Sequence, residues 1–178
     1  MSLKFITPLA LGLLTACAES LVVEPDHTSG AALRPASAAS ASPSRPMRGA
    51  CTFVATPVPP ATGQPQNVAR FLLDADCRFT HLGLTTASAE EIVTFTANGT
   101  TAVFTTIYTA ANGDRLFTTT STTGTAPDPN GVAGFSGTET VTGGTGRFAG
   151  ASGAFSLTGS VAVATLTGVY EVNGSVSY

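Results

Sequence analysis

Glu91-Ile92-Val93-Thr94-Phe95-Thr96-Ala97-Asn98-Gly99-Thr100-Thr101-Ala102-Val103-Phe104-Thr105-Thr106-Ile107-Tyr108 reads as two alternating runs joined by Asn98-Gly99. Asn-Gly between alternating runs is a strong hairpin signal, because a type I′ turn needs positive φ at both central residues. The same grammar extends outward. Downstream, Asn112-Gly113 separates this run from Arg115-Leu116-Phe117, and the loop 125–131 leads to a run from Val132 to Val141. Two final runs, Gly153 to Val163 and Thr165 to Tyr178, end the chain. Upstream lie a run around Cys51-Thr52-Phe53, a Pro-rich loop over 57–65, a run from Val68 to Leu73, and Cys77-Arg78-Phe79-Thr80-His81-Leu82. That makes about eight or nine strands at hairpin spacing and no amphipathic helix, the pattern of an all-β antiparallel barrel or sandwich. The expected inward set is Phe53, Phe71, Val93, Phe95, Phe104, Phe117, Phe135, Phe155 and Val169 with their period-two neighbours.

One segment breaks the alternation: Thr142-Gly143-Gly144-Thr145-Gly146-Arg147-Phe148-Ala149-Gly150-Ala151-Ser152-Gly153. A phosphate loop would need a following Gly-Lys-Ser/Thr and a strand–loop–helix frame, and neither is present. A tight corner with Phe148 plugging one end of the barrel is the simpler reading.

The N-terminus is of another kind. Residues 5–16 read FITPLALGLLTA, behind a lone Lys4 and ahead of Cys17. The run is too short for a membrane-spanning helix, which needs about 20 apolar residues. Its length suits the apolar region of a signal peptide. Leu14-Thr15-Ala16-Cys17 resembles a bacterial lipoprotein signal, which implies that Cys17 is lipidated and becomes the first residue of the mature protein. Ala16-Cys17-Ala18 also fits ordinary signal-peptidase cleavage before Glu19. The following stretch is rich in Ala, Ser and Pro, with too few large apolar side chains to offset the entropy of ordering it. The expected organisation is therefore a signal over 1–16, a lipidated cysteine and disordered tether over 17–48, and one domain over 49–178. Ala18 after Cys17 points to the outer membrane.

Only 11% of the 178 residues are charged, and the net charge is −3. Within 49–178 there are four Arg, no Lys and eight Asp or Glu. With no basic stripe to pair with phosphates, nucleic-acid binding is excluded. The absence of Trp and the presence of only three Tyr argue against an aromatic sugar-binding platform. If Cys17 is lipidated or removed, Cys51 and Cys77 remain, and an exported pair is expected to form a disulfide. A metal site would need further ligands, and only His81 is near, so no metal or cofactor is expected.

Several stretches carry a resemblance: Cys77 through Gly83, Ala111 through Asp114, Gly137 through Gly153, and Gly168 through Tyr178. Together they resemble bacterial proteins with an allene-oxide-cyclase-like barrel, over most of 49–178. The resemblance implies a single eight-stranded antiparallel, calycin-like barrel, related in fold to plant allene oxide cyclases and dirigent proteins. It implies no activity, because the plant cyclase's site cannot be matched onto this chain residue by residue.

No catalytic residue is assigned. His81 is expected to be a hydrogen-bonded structural histidine, and Asp74 and Asp76 to belong to a turn. Glu90-Glu91 is expected at a solvated strand start, and Asp114 and Arg115 at a hairpin tip. Glu139 and Arg147 flank the glycine-rich segment and are expected to form an ion pair bracing the barrel end, with ligand anchoring as the sharper alternative. The preferred functional reading is a lipid-anchored, non-enzymatic envelope barrel that binds a small apolar ligand or an envelope component, or serves structurally. The alternative is an isomerase or cyclase acting on a lipid-like substrate inside the barrel. The state of the barrel interior separates these readings.

Overall fold

A computed structural model describes residues 42–178. The signal, Cys17 and residues 18–41 of the expected tether lie outside the described residues. Eight strands form one closed barrel: β1 (Ser44–Val58), β2 (Val68–Phe79), β3 (Gly83–Thr96), β4 (Gly99–Ala110), β5 (Arg115–Gly124), β6 (Val132–Gly144), β7 (Ser152–Ala162) and β8 (Thr167–Ser177). Every strand pairs antiparallel with its neighbours in the chain, and β1 closes on β8, so no edge is left open. Strand β1 starts at Ser44, inside the stretch assigned to the tether, because Met47 is fully buried and pairs with Gly174.

The hairpin at Asn98-Gly99 forms, but its turn is displaced by one residue. Thr96 pairs with Gly99, leaving Ala97 and Asn98 as the loop, and Gly99 itself takes the positive φ of 140°. At Asn112-Gly113, Ala110 donates its N–H to Asp114 O, and Gly113 at φ 87° occupies the left-handed position of a three-residue loop.

Period-two alternation sets the inward face, and four inward aromatics lie opposite a glycine on the neighbouring strand. Phe79 faces Gly49, Phe53 faces Gly168, Phe135 faces Gly159 and Phe155 faces Gly174. A Cβ on Gly168 or Gly159 would meet the ring of Phe53 or Phe135 at 2.5 Å. These glycines make room for rings inside a narrow barrel. Two members of the expected inward set are misplaced. Val169 points outward and is 52% exposed, because Gly168 and Tyr170 take the inside positions. Phe117 sits at an irregularity of the β5–β6 ladder, between the fully buried Leu116 and Thr118, and so falls on the other face.

The two ends of the barrel differ. At the end where β1 begins, Met47, Phe79, Leu116 and Val176 fill the interior. A 3-10 turn, Gly146–Phe148, inserts the fully buried Phe148 there, with its ring 4.8 Å from that of Tyr178. Toward the opposite end the inward positions narrow to Ala55, Ala75, Ala87, Ala89 and Ala102, and space is left between them.

Candidate functional site

That space is a cavity of about 410 Å³. Its wall carries Phe53, Phe71, Leu73, Val93, Phe104 and Phe135, with Tyr170 among its lining residues and Phe95, half-exposed, toward the open side. The volume falls within the range of ligand sites of about 300–1,000 Å³, which are mostly apolar with a few placed polar groups. The alanine ring explains why it exists: larger side chains at Ala75, Ala87 and Ala102 would fill it as Phe79, Tyr108 and Leu116 fill the closed half.

The polar groups of the wall are few. Glu91 lines the cavity from β3, with Phe71 and Phe104 as its partners on the adjacent strands. It was expected at a solvated strand start, but β3 begins eight residues earlier, at Gly83, and the alternation turns Glu91 inward. Burial pushes its carboxyl from the ordinary 4.5 up to about 7. Its neighbour Glu90 faces outward and pairs with Arg70 of β2. Thr106 also lines the cavity, and its buried Oγ1 has no hydrogen-bond partner.

Below Tyr170 a chain of polar groups runs into the closed half. Tyr170 and Tyr108 hydroxyls are 3.4 Å apart, and Tyr108 donates to Glu139 Oε2 at 3.1 Å. Thr118 Oγ1 donates to Glu139 Oε1 at 2.5 Å. Glu139 is fully buried, which raises its pKa; the two donated hydrogen bonds oppose that rise. Burial first, then the nearby Glu139 charge, drives Tyr108 well above its usual value, so it remains a phenol and a donor. Tyr170 is likewise raised, by burial before any other cause. Two hydroxyl donors, one on each oxygen, give this buried carboxyl the hydrogen-bonded partners that burial of such a group demands.

This arrangement overturns the expected Glu139–Arg147 pair. Glu139 shares its inward phase with Phe135 and Val141 and lies inside the barrel, whereas Arg147 is on the outside of the closed end. Arg147 Nη2 donates to His81 O at 2.9 Å, its Nε lies 3.5 Å from Asp114 Oδ2, and its guanidinium sits 4.8 Å from the Phe148 ring centroid. Asp114 at the hairpin tip therefore pairs with Arg147. His81 Nε2 is 2.9 Å from Pro46 O, and its ring approaches Tyr178 edge-on. His81 and Arg147 thus brace the plugged end, with Arg45 over the Tyr178 ring beside them. Asp74 and Asp76 lie within β2 on its exposed face, not in a turn.

Cys51 and Cys77 are register partners on β1 and β2, both buried, with Cα atoms 4.1 Å apart and their sulfurs bonded. Cys77 Sγ is 3.6 Å from the Tyr170 hydroxyl, so the disulfide lies just beneath the cavity. Among the described residues no group of three or more His, Cys, Asp or Glu is placed to hold a metal.

The functional residues that the sequence reading missed are Glu91, Thr106 and the two tyrosines. Counting back by twos from Phe95 and Val93 would have put Glu91 on the inner face. Thr106 carries no such mark, because Thr occupies both faces of this barrel. No protein-family model, no curated protein and no solved structure matches this chain.

Proposed function

We propose that this chain is an exported barrel protein, tethered to the cell envelope through lipid on Cys17, whose domain binds a small apolar ligand in the cavity. The observation that carries the binding reading is the 410 Å³ space walled by Phe, Leu, Val and Ala in a barrel whose other half is solidly packed. A barrel serving only as a spacer would have no need of an alanine-lined interior, and a void of this size forfeits packing contacts. The Cys51–Cys77 bond supports an oxidising compartment, and Leu14-Thr15-Ala16-Cys17 supports the anchor. The eight-stranded antiparallel closure is the architecture that the allene-oxide-cyclase-like resemblance implies. No activity is carried over with it.

Calorimetric titration of decanol into the full chain tests the binding reading. The wild type takes up one decanol per chain. Ala102→Phe, which places a ring in the cavity, abolishes uptake while the far-ultraviolet circular dichroism stays that of a folded barrel. A wild type that binds neither decanol nor decylamine nor decanoate, or a folded Ala102→Phe that binds decanol as well as wild type, would overturn the proposal.

A further inference from the structure

Glu91 is the one carboxylate on the cavity wall among the described residues, and no Lys, Arg or His joins it there. Arg70, the nearest cation on β2, is outside and engaged with Glu90; β4 presents Phe104 and Thr106 to the same space. Tyr170 on β8 is the remaining titratable group facing the cavity. Thr106 is opposite Ala89, one inward step from Phe104, and so is the diagonal neighbour of Glu91. Such neighbours lie roughly 7–8 Å apart, within reach of one polar head group. Thr106 borders the empty space as a residue, and its buried Oγ1 has no partner in the protein. A buried hydroxyl left unpaired is costly unless something else completes it.

We propose that the cavity's ligand is a single-chain amphiphile with a protonated amine head, which Glu91 holds as a charge-assisted hydrogen bond and Thr106 completes as a second acceptor. The inference rests on the cavity being a ligand site. An ammonium has three donors and no acceptor, and Glu91 and Thr106 supply acceptors for it. A carboxylate head would face Glu91 with no cation to balance the two like charges. A neutral alcohol can hydrogen-bond to the pair but gains no Coulomb attraction. Burial alone holds Glu91 near neutral titration, and an ammonium beside it favours the ionised form. The amine stays protonated up to about pH 10, so its advantage grows as pH rises through the Glu91 titration.

Titrating decylamine, decanol and decanoate separately into the full chain tests this. At about pH 8, decylamine binds about tenfold or more tighter than decanoate, the scale of one charge-assisted hydrogen bond in a desolvated site. That preference disappears in Glu91→Gln and persists in Glu90→Gln, whose side chain faces outward. In the wild type it shrinks toward parity at about pH 5.5, a readout that needs no variant. Decanoate binding as tightly as decylamine, or a preference unchanged in folded Glu91→Gln, would overturn the amine assignment and leave the apolar site standing. Failure of all three probes to bind would overturn the ligand-site reading and this inference with it.

Discussion

Replacing Glu91 with Gln separates the carboxylate's electrostatic burden from its shape. In the folded chain the carboxyl titrates at about 7, against 4.5 ordinarily. The sign follows from linkage. An acid whose folded pKa is raised leaves stability intact below about 4.5, and stability is lost as pH rises through the folded value near 7. At about 1.36 kcal/mol per pH unit, that interval corresponds to about 3 kcal/mol at most, and solvent reaching the cavity mouth reduces it. A domain of this size shifts its Tm by about 3–4 °C per kcal/mol, so the ceiling is about 10 °C. Glu91→Gln should therefore match the wild type at about pH 4 and exceed it by up to about 10 °C at about pH 8. Thermal unfolding followed by circular dichroism across that range reads the difference. Glu139, also raised by burial, adds a slope of the same sign to both proteins and cancels in the comparison. Parallel pH profiles for the two would refute the placement of Glu91 in a desolvated wall. A gain that is present equally at low pH would assign the effect to packing instead of charge.

Three other perturbations test separate parts of the account. Replacing Cys51 and Cys77 together by Ala should destabilise by roughly 3–4 kcal/mol, the chain-entropy value for their separation of 26 residues, read by urea unfolding with and without reductant. Gly49→Ala would push a methyl group into the Phe79 ring and should cost about 1–3 kcal/mol in the same assay, with Phe79→Leu restoring part of the loss in the double variant. Cys17→Ser should abolish incorporation of labelled palmitate and release the protein from membranes; a wild type that is soluble and begins at Glu19 would refute the anchor.

The antiparallel all-β order was legible because two Asn-Gly pairs punctuate alternating runs; that pattern suits a barrel or a sandwich, and closure into eight strands was what the resemblance implied. The register of individual turns was not legible. Asn98-Gly99 marks the hairpin, yet the loop is Ala97-Asn98, since Gly99 uses its positive φ inside the first ladder pair. Phe117 and Val169 were misassigned because a one-residue shift exchanges faces, and a β5 irregularity or an inward glycine cannot be seen in a pattern where Thr, Ala and Gly suit both sides. Glu91 was obscured by the small residues before it, Thr85 through Ala89, which carry no clear period and made the strand look shorter than it is. The Glu139–Arg147 pairing failed because nearness in sequence was taken for contact. Glu139 follows the inward phase of β6, while Arg147 belongs to a turn outside the barrel. The disulfide was legible from export and cysteine count, and its two positions are direct partners across β1 and β2.

The central claim is that the barrel interior receives an apolar molecule, and a crystal structure of the full chain grown with saturating decanol tests it most directly. The expected result is continuous density for decanol inside the barrel among Phe71, Phe104 and Phe135, with its hydroxyl near Glu91 and Thr106. An interior in which Phe71, Phe104 and Phe135 have collapsed across the alanine ring, with decanol absent or bound only to the outer surface, would contradict it.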